Sequence, residues 1–261
     1  MESPFRADVV KDKVALITGG ASGIGVEIST QFGKHGASIA IMGRRKHVID
    51  SAISALRSLG ISRGRYSKQE DAKRVLESTF EYFVMDIHSV GTFIMCHEAL
   101  KYLKKGGLGR SQCGGGIIFN ISAALHYTAA WFQIHVSAAK AALDAITRNL
   151  ALEWGTDYDM KVNGIAPGPI ADTPKMNELI PKQEMETKTS DYLPVTKFGE
   201  TWDVAMAALY LVSDAANMVV DGGLWLSRPP HLPKEFVKQL SRAVEKKKSG
   251  AAAPLCPRSK I

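Results

Sequence analysis

The chain has 261 residues, 45% of them apolar and 23% charged, which suits one larger folded domain and excludes a disordered chain. Its formal net charge of +7 sits wholly in residues 228–261, with nine Lys or Arg against two Glu, so the body is neutral and offers no phosphate-tracking groove for a nucleic acid. No apolar run is long and charge-free enough to be a membrane span, MESPFRADVVKDK is no secretory signal, and Cys96, Cys113 and Cys256 match no zinc spacing.

In chain order, VALIT (14–18) is a β-branched run leading into GGASGIG, and EISTQFGKHG then has helical spacing. SIAIMG (38–43) reads as the next strand and RKHVIDSAISALRSLG as a helix ended by Gly60. This β-α-β-α opening predicts an α/β fold of the Rossmann kind, a doubly wound parallel sheet. Further on, GGGIIFNIS (114–122) reads as a strand and QIHVSAAKAALDAITRNLALEWG (133–155) as a long helix ending on Gly155. MKVNGIAPGPI (160–170) is a strand running into a Pro/Gly loop, TWDVAMAALYLVSD (201–214) a helix, and NMVVDGGLWL (217–226) a last strand. Residues 1–227 form the nucleotide-binding domain on this reading, and 228–261 a basic tail.

The middle is too short. Only 24 residues separate Leu59 from Val84, and KQEDAKRVLESTFEYF (68–83), an amphipathic helix, takes most of them. An αβ repeat needs a strand on each side of that helix, each of about 5–6 residues plus a loop. ISRGRYS is basic and poor as a buried strand, and EYFVMDIHSVGTFIMCHEALKYL reads straight into another helix. The fourth-strand region of the sheet is therefore expected to be missing, unless segments such as 62–67 and 82–87 rearrange into makeshift strands.

TGGASGIG carries the first chemistry. Gly19, Gly20, Gly23 and Gly25, with Ser22 and Ile24 between them, follow a strand and open a helix. Glycine there allows a tight turn and close backbone approach to a pyrophosphate at the positive helix end. After the second strand stand Arg44 and Arg45 instead of an acid. An acid there would accept from a ribose hydroxyl, whereas arginines pair with a 2′-phosphate, so NADPH is expected over NADH.

TGGASGIG, the NIS strand end, VSAAKAA and VNGIAPGPI together resemble the short-chain dehydrogenase/reductase family, over residues 11–60 and 84–226. SPFRADVVKDKVALITGG, FGKHGASIAIMGRRK, GTFIMCHEALKYLKKGG, RNLALEWGTDYD and DGGLWLSRPPHLPKE are similar to one branch of it, the plant peroxisomal 2,4-dienoyl-CoA reductases. The resemblance implies an acyl-CoA thioester substrate and places Pro167, Gly168 and Ile170 in the cofactor loop. It implies that Lys140 holds the nicotinamide ribose, a homo-oligomer, and an enzyme of peroxisomal fatty-acid oxidation. Ser259-Lys260-Ile261 looks like a tripeptide read by the peroxisomal import receptor.

The departures are informative. Four residues before Lys140, where most of the family has a tyrosine, stands Val136; seventeen before it, in place of the family serine, stands Ala123. A dienoyl-CoA reductase makes no alcohol, so it does not need that tyrosine. It needs donors on the thioester oxygen and a proton for carbon. His88 in MDIHSVGTF replaces the acid that the branch uses in its proton relay; it is either a substitute donor or a sign of damage. Tyr127 is either a donor to the thioester oxygen or a lining residue, while His126 and His135 read as core or surface residues. The Asn-Ala-Gly-type fourth strand and the Gly-Asp-Val-type adenine contact are absent, with Gly64-Arg65-Tyr66 nearest the latter. A catalytically impaired isoform, acting at most as a binding or oligomerisation partner, is the alternative to the working reductase.

Overall fold

The computed structural model describes residues 2–61, 64–66, 83–108, 114–127, 133–174, 176 and 197–213, all within one unit, Met1–Gly222. The helix expected over 68–83 lies outside these residues up to its last position, as do the strand over 217–226 and the basic tail.

Strand β1 (Val14–Thr18) leads through the glycine turn into α1 (Gly23–Lys34), followed by β2 (Ser38–Met42) and α2 (Lys46–Ser58). The two strands are parallel, Val14 opposite Ser38 through Thr18 opposite Met42, as a βαβ crossover requires. Ile39 and Ile41 of β2 are buried, as are Ile49, Ile53 and Leu56 on one face of α2. Strand β3 (Gly64–Tyr66) pairs parallel with β2, completing a sheet of order β1-β2-β3. The basic stretch before residue 68, expected to be poor as a buried strand, thus supplies a short strand within 62–67 at the sheet edge among the described residues. At the sheet edge a strand pairs on one side only, and charged residues there are ordinary.

The other candidate strand, 82–87, is helical instead. A helical turn, Phe83–Met85, runs into a π-turn, Asp86–Val90, and then into α3 (Gly91–Leu103). The periodicity of a long helix wins over the short run FVM, and the extra residue of the π-turn is absorbed without breaking it.

Strand β4 (Ile117–Ile121) follows, then a 3₁₀ turn (Ala124–His126), helix α4 (Ile134–Tyr158), β5 (Lys161–Ile165) and α5 (Thr201–Val212). Helix α4 passes through Gly155, where it was expected to stop. It ends at Asp159, whose φ of 56° is a left-handed turn that aspartate tolerates better than most residues. Strands β4 and β5 pair in register, Ile117 opposite Lys161 through Ile121 opposite Ile165, as a separate two-stranded sheet.

The sheet is thus divided. Among the described residues no strand lies between β1 and β4, at the place where the chain is too short. The core is divided with it. One cluster gathers Ile28, Phe32, Ile39, Ile41, Leu56 and Leu209 around the first sheet, and the other gathers Cys96, Ile118, Leu150, Trp154 and Val162 around the second. Ile117, Phe119 and Ile121 of β4 pack on the first cluster, so the halves share apolar contact without sharing strand hydrogen bonds. Parallel strands normally carry cover on both faces. On β1, Val14 is 78% exposed and Leu16 53%.

Candidate active site

The site is built at the C-terminal ends of the strands. Gly19 turns the chain out of β1 with a φ of 67°, where glycine avoids the steric cost of a side chain. Gly25 is fixed by proximity: a Cβ there would lie 2.3 Å from the Gly19 carbonyl oxygen. Ser29, fully buried, ties the turn to its helix, its hydroxyl lying 2.9 Å from the Gly25 carbonyl and 3.1 Å from that of Gly20. The sequence reading missed Ser29. Its signal was a polar residue on the inward face of α1.

Helix α1 starts without a side-chain cap from Ser22 and without an acid in its first turn. Its first amides are left for an anion, and the dipole favours one. Among the described residues nothing would touch a Cβ on Gly19, so the outer side of the turn is open. Pro174 closes the other side, its Cδ 3.4 Å from where a Gly23 Cβ would be. The loop carrying Pro167, Gly168 and Ile170 therefore ends against the start of α1. That loop is held at both ends. The Pro167 carbonyl accepts from the Ala124 amide at 3.0 Å, and the Ala171 amide donates to Gly199 at 2.9 Å. Arg44 and Arg45 are exposed at the end of β2, and neither meets an acid among the described residues. Uncapped amides, an open turn and two free guanidiniums fit a dinucleotide phosphate.

Lys140 lies one helical turn before Asp144 on α4, and its ammonium donates to the Ile121 carbonyl at the end of β4, 2.9 Å away. Burial pulls its pKa below the ordinary lysine value, and the Asp144 carboxylate opposes that in part. Val136, where the family tyrosine was missed, is half-buried on the same helix. His88 is half-buried in the π-turn, next to Ser89, whose hydroxyl donates to the Ala139 carbonyl at 3.2 Å. The π-turn is thus fastened to α4 one residue from Lys140. Tyr127 is 64% exposed, and its hydroxyl donates to Asp144 at 2.9 Å. Desolvation raises its pKa, and the bond to the Asp144 carboxylate adds to that. His126, read from sequence as an ordinary core or surface residue, places Nε2 2.7 Å from the same carboxylate oxygen.

A parallel βαβ start, a glycine turn under an uncapped helix and a lysine helix against the next strand pair define a nucleotide-dependent oxidoreductase, and the chain belongs to the short-chain dehydrogenase/reductase family. Residues 58–224 match the family described as enoyl-(acyl carrier protein) reductase, and residues 13–77 the short chain dehydrogenase family. The chain is 61% identical to the peroxisomal 2,4-dienoyl-CoA reductase of Arabidopsis thaliana over 300 aligned positions, covering 100% of both chains. It is 31% identical to the mouse protein of that name, over 86% of this chain and 88% of the other. A short chain dehydrogenase structure from Bacillus anthracis superposes with a TM-score of 0.65 at 30% identity, over 84% of this chain and 99% of that one. Members of the family bind NAD or NADP, and structures of this fold contain either NAD or NADPH.

Proposed function

We propose that this chain reduces 2,4-dienoyl-CoA thioesters to 3-enoyl-CoA with NADPH, in the peroxisome. The observation that carries the reading is the end-to-end identity with the Arabidopsis reductase. It favours a working reductase over a silent isoform. Val136 in place of a tyrosine agrees with it, because no alkoxide has to be protonated.

When bound, the nicotinamide supplies a hydride to the far end of the diene. The residues of the chain do the rest. The amides of Gly23, Ile24 and Gly25 hold the pyrophosphate, with Ser22 at the helix entry and Gly19 and Gly20 giving room. Arg44 and Arg45 take the 2′-phosphate. Pro167, Gly168 and Ile170 wall the nicotinamide side. Lys140 holds the nicotinamide ribose and adds positive potential where the dienolate forms. His88 stands where the branch carries its relay acid, and imidazole moves protons near neutral pH. Tyr127 serves the thioester oxygen only by leaving Asp144.

Ser259-Lys260-Ile261 is the tripeptide we assign to the import receptor, and α4 a surface through which copies of the chain associate. The test is NADPH absorbance with a 2,4-dienoyl-CoA and purified protein. Steady oxidation with 3-enoyl-CoA as product is expected; none at stoichiometric enzyme refutes the reading. For the address, a fluorescent passenger ending in the last dozen residues should enter peroxisomes.

A further inference from the structure

We infer that His126, held against Asp144, is the proton store of this site. The inference rests on the reductase reading above. Three observations carry it. The His126 side chain is 9% exposed and that of Asp144 13%, so the pair is withdrawn from bulk water. Nε2 lies 2.7 Å from Asp144 Oδ2 but off the hydrogen-bond line, and neither ring nitrogen has an aligned partner among the described residues. Buried polar atoms are nearly always satisfied, so Nδ1, which meets neither Asp144 nor any other partner among the described residues, is the nitrogen left for a ligand's group. Lastly, the ring is rigidly placed. The Ala124 amide binds Pro167, Ser137 holds the Leu125 carbonyl at 3.3 Å, and the Tyr127 ring lies 4.0 Å from that of His126.

The position suits the reaction. Asp144 is one turn from Lys140, so the carboxylate beside the imidazole also supports the ammonium beside the developing dienolate. Hydride addition at C5 reduces the diene by two electrons, NADPH becoming NADP⁺, and leaves a dienolate. One proton at C2 completes the 3-enoyl thioester. The imidazolium of His126 gives that proton and becomes neutral, Asp144 stays a carboxylate, and water returns the proton. The groups that meet the ring among the described residues are Asp144 of α4 and Tyr127 beside it, with Lys140 one turn along α4 from Asp144 and His88 on the π-turn fastened to the same helix.

The test has two arms. In kinetics, His126→Gln keeps a polar side chain and should lower kcat by about a hundredfold with little change in the KM for NADPH. Added imidazole should restore part of the rate of His126→Ala. His97→Asn, at an exposed histidine with no part in the site, should keep the parent's rate. Full rate in His126→Gln overturns the inference, as does failure of imidazole rescue in a variant that still binds NADPH. The second arm needs no substrate: in ¹⁵N-histidine spectra of the whole protein, Asp144→Asn should move the His126 ring signals and leave those of His35. His126 signals that do not move overturn the pair, whatever the substrate proves to be.

Discussion

At single residues, charge placement decides most of what the site can do. Arg44 and Arg45 are exposed and unopposed among the described residues, so their pull on a 2′-phosphate is undiminished by a competing acid. Replacing both with alanine should cut the preference for NADPH over NADH by about ten- to a hundredfold, the scale of one or two charge-assisted contacts. Fluorescence titration of both nucleotides checks this, and equal affinities in the parent would refute it. Lys140 is a different case because burial depresses its pKa from 10.5. As pH climbs toward 10.5, the unfolded chain holds this proton longer than the folded one does, so this residue makes stability rise with pH in that window. Urea midpoints of the parent should therefore rise relative to Lys140→Met as alkaline pH is approached. Tyr127→Phe removes one bond to Asp144 on an exposed ring, and should cost stability no more than about 1 kcal/mol.

Among the elements, what was legible in the sequence was whatever depends on neighbours along the chain. The glycine turn, β1, α1, β2, α2 and the lysine helix could all be read because periodicity and turn chemistry are local. The shortage before residue 84 was legible as a count, and the divided sheet is its structural form. Less legible were outcomes decided by position in the sheet. GRY, within the 62–67 segment offered as a makeshift strand, did become one, at the edge where a basic stretch is tolerated, whereas 82–87, offered beside it, has its described residues in a helix. His126 looked ordinary because its partner, Asp144, is 18 positions away and meets it only once α4 docks on β4. Cys96, inside the second cluster, shows the protection an element can give. Its thiol is buried and its pKa pushed up to about 11. The thiolate is the reactive form. In the native protein at neutral pH, maleimide should leave Cys96 unmodified for hours, and denaturant should expose it within the dead time of mixing. Peptide mass mapping separates it from Cys113 and Cys256, and rapid native labelling of Cys96 would mean that the second cluster is open.

For the whole molecule, the question is what it costs that, among the described residues, no strand lies between β1 and β4. The alignment with the Arabidopsis reductase runs over 300 positions while this chain has 261 residues, so it is crossed with gaps in this chain. Among the described residues the same shortage appears as two sheets that meet through apolar contacts, with no strand pairing between them. If β1 is truly an uncovered edge, side chains on its open face contribute little, and those on the covered strand beside it contribute fully. Val14 is 78% exposed and Ile39 2%. Val14→Thr should then change unfolding stability by no more than about 0.5 kcal/mol, the range of surface substitutions. Ile39→Ala should cost about 2–5 kcal/mol, the range for emptying a packed core position. Against a total of roughly 5–15 kcal/mol, that is enough to unfold much of a marginal chain. Denaturant melts of the two variants with the parent decide the matter. A cost for Val14→Thr near that for Ile39→Ala would mean that β1 is covered in solution, by another part of the chain or by a second copy, and melts repeated across a hundredfold range of protein concentration would separate those two.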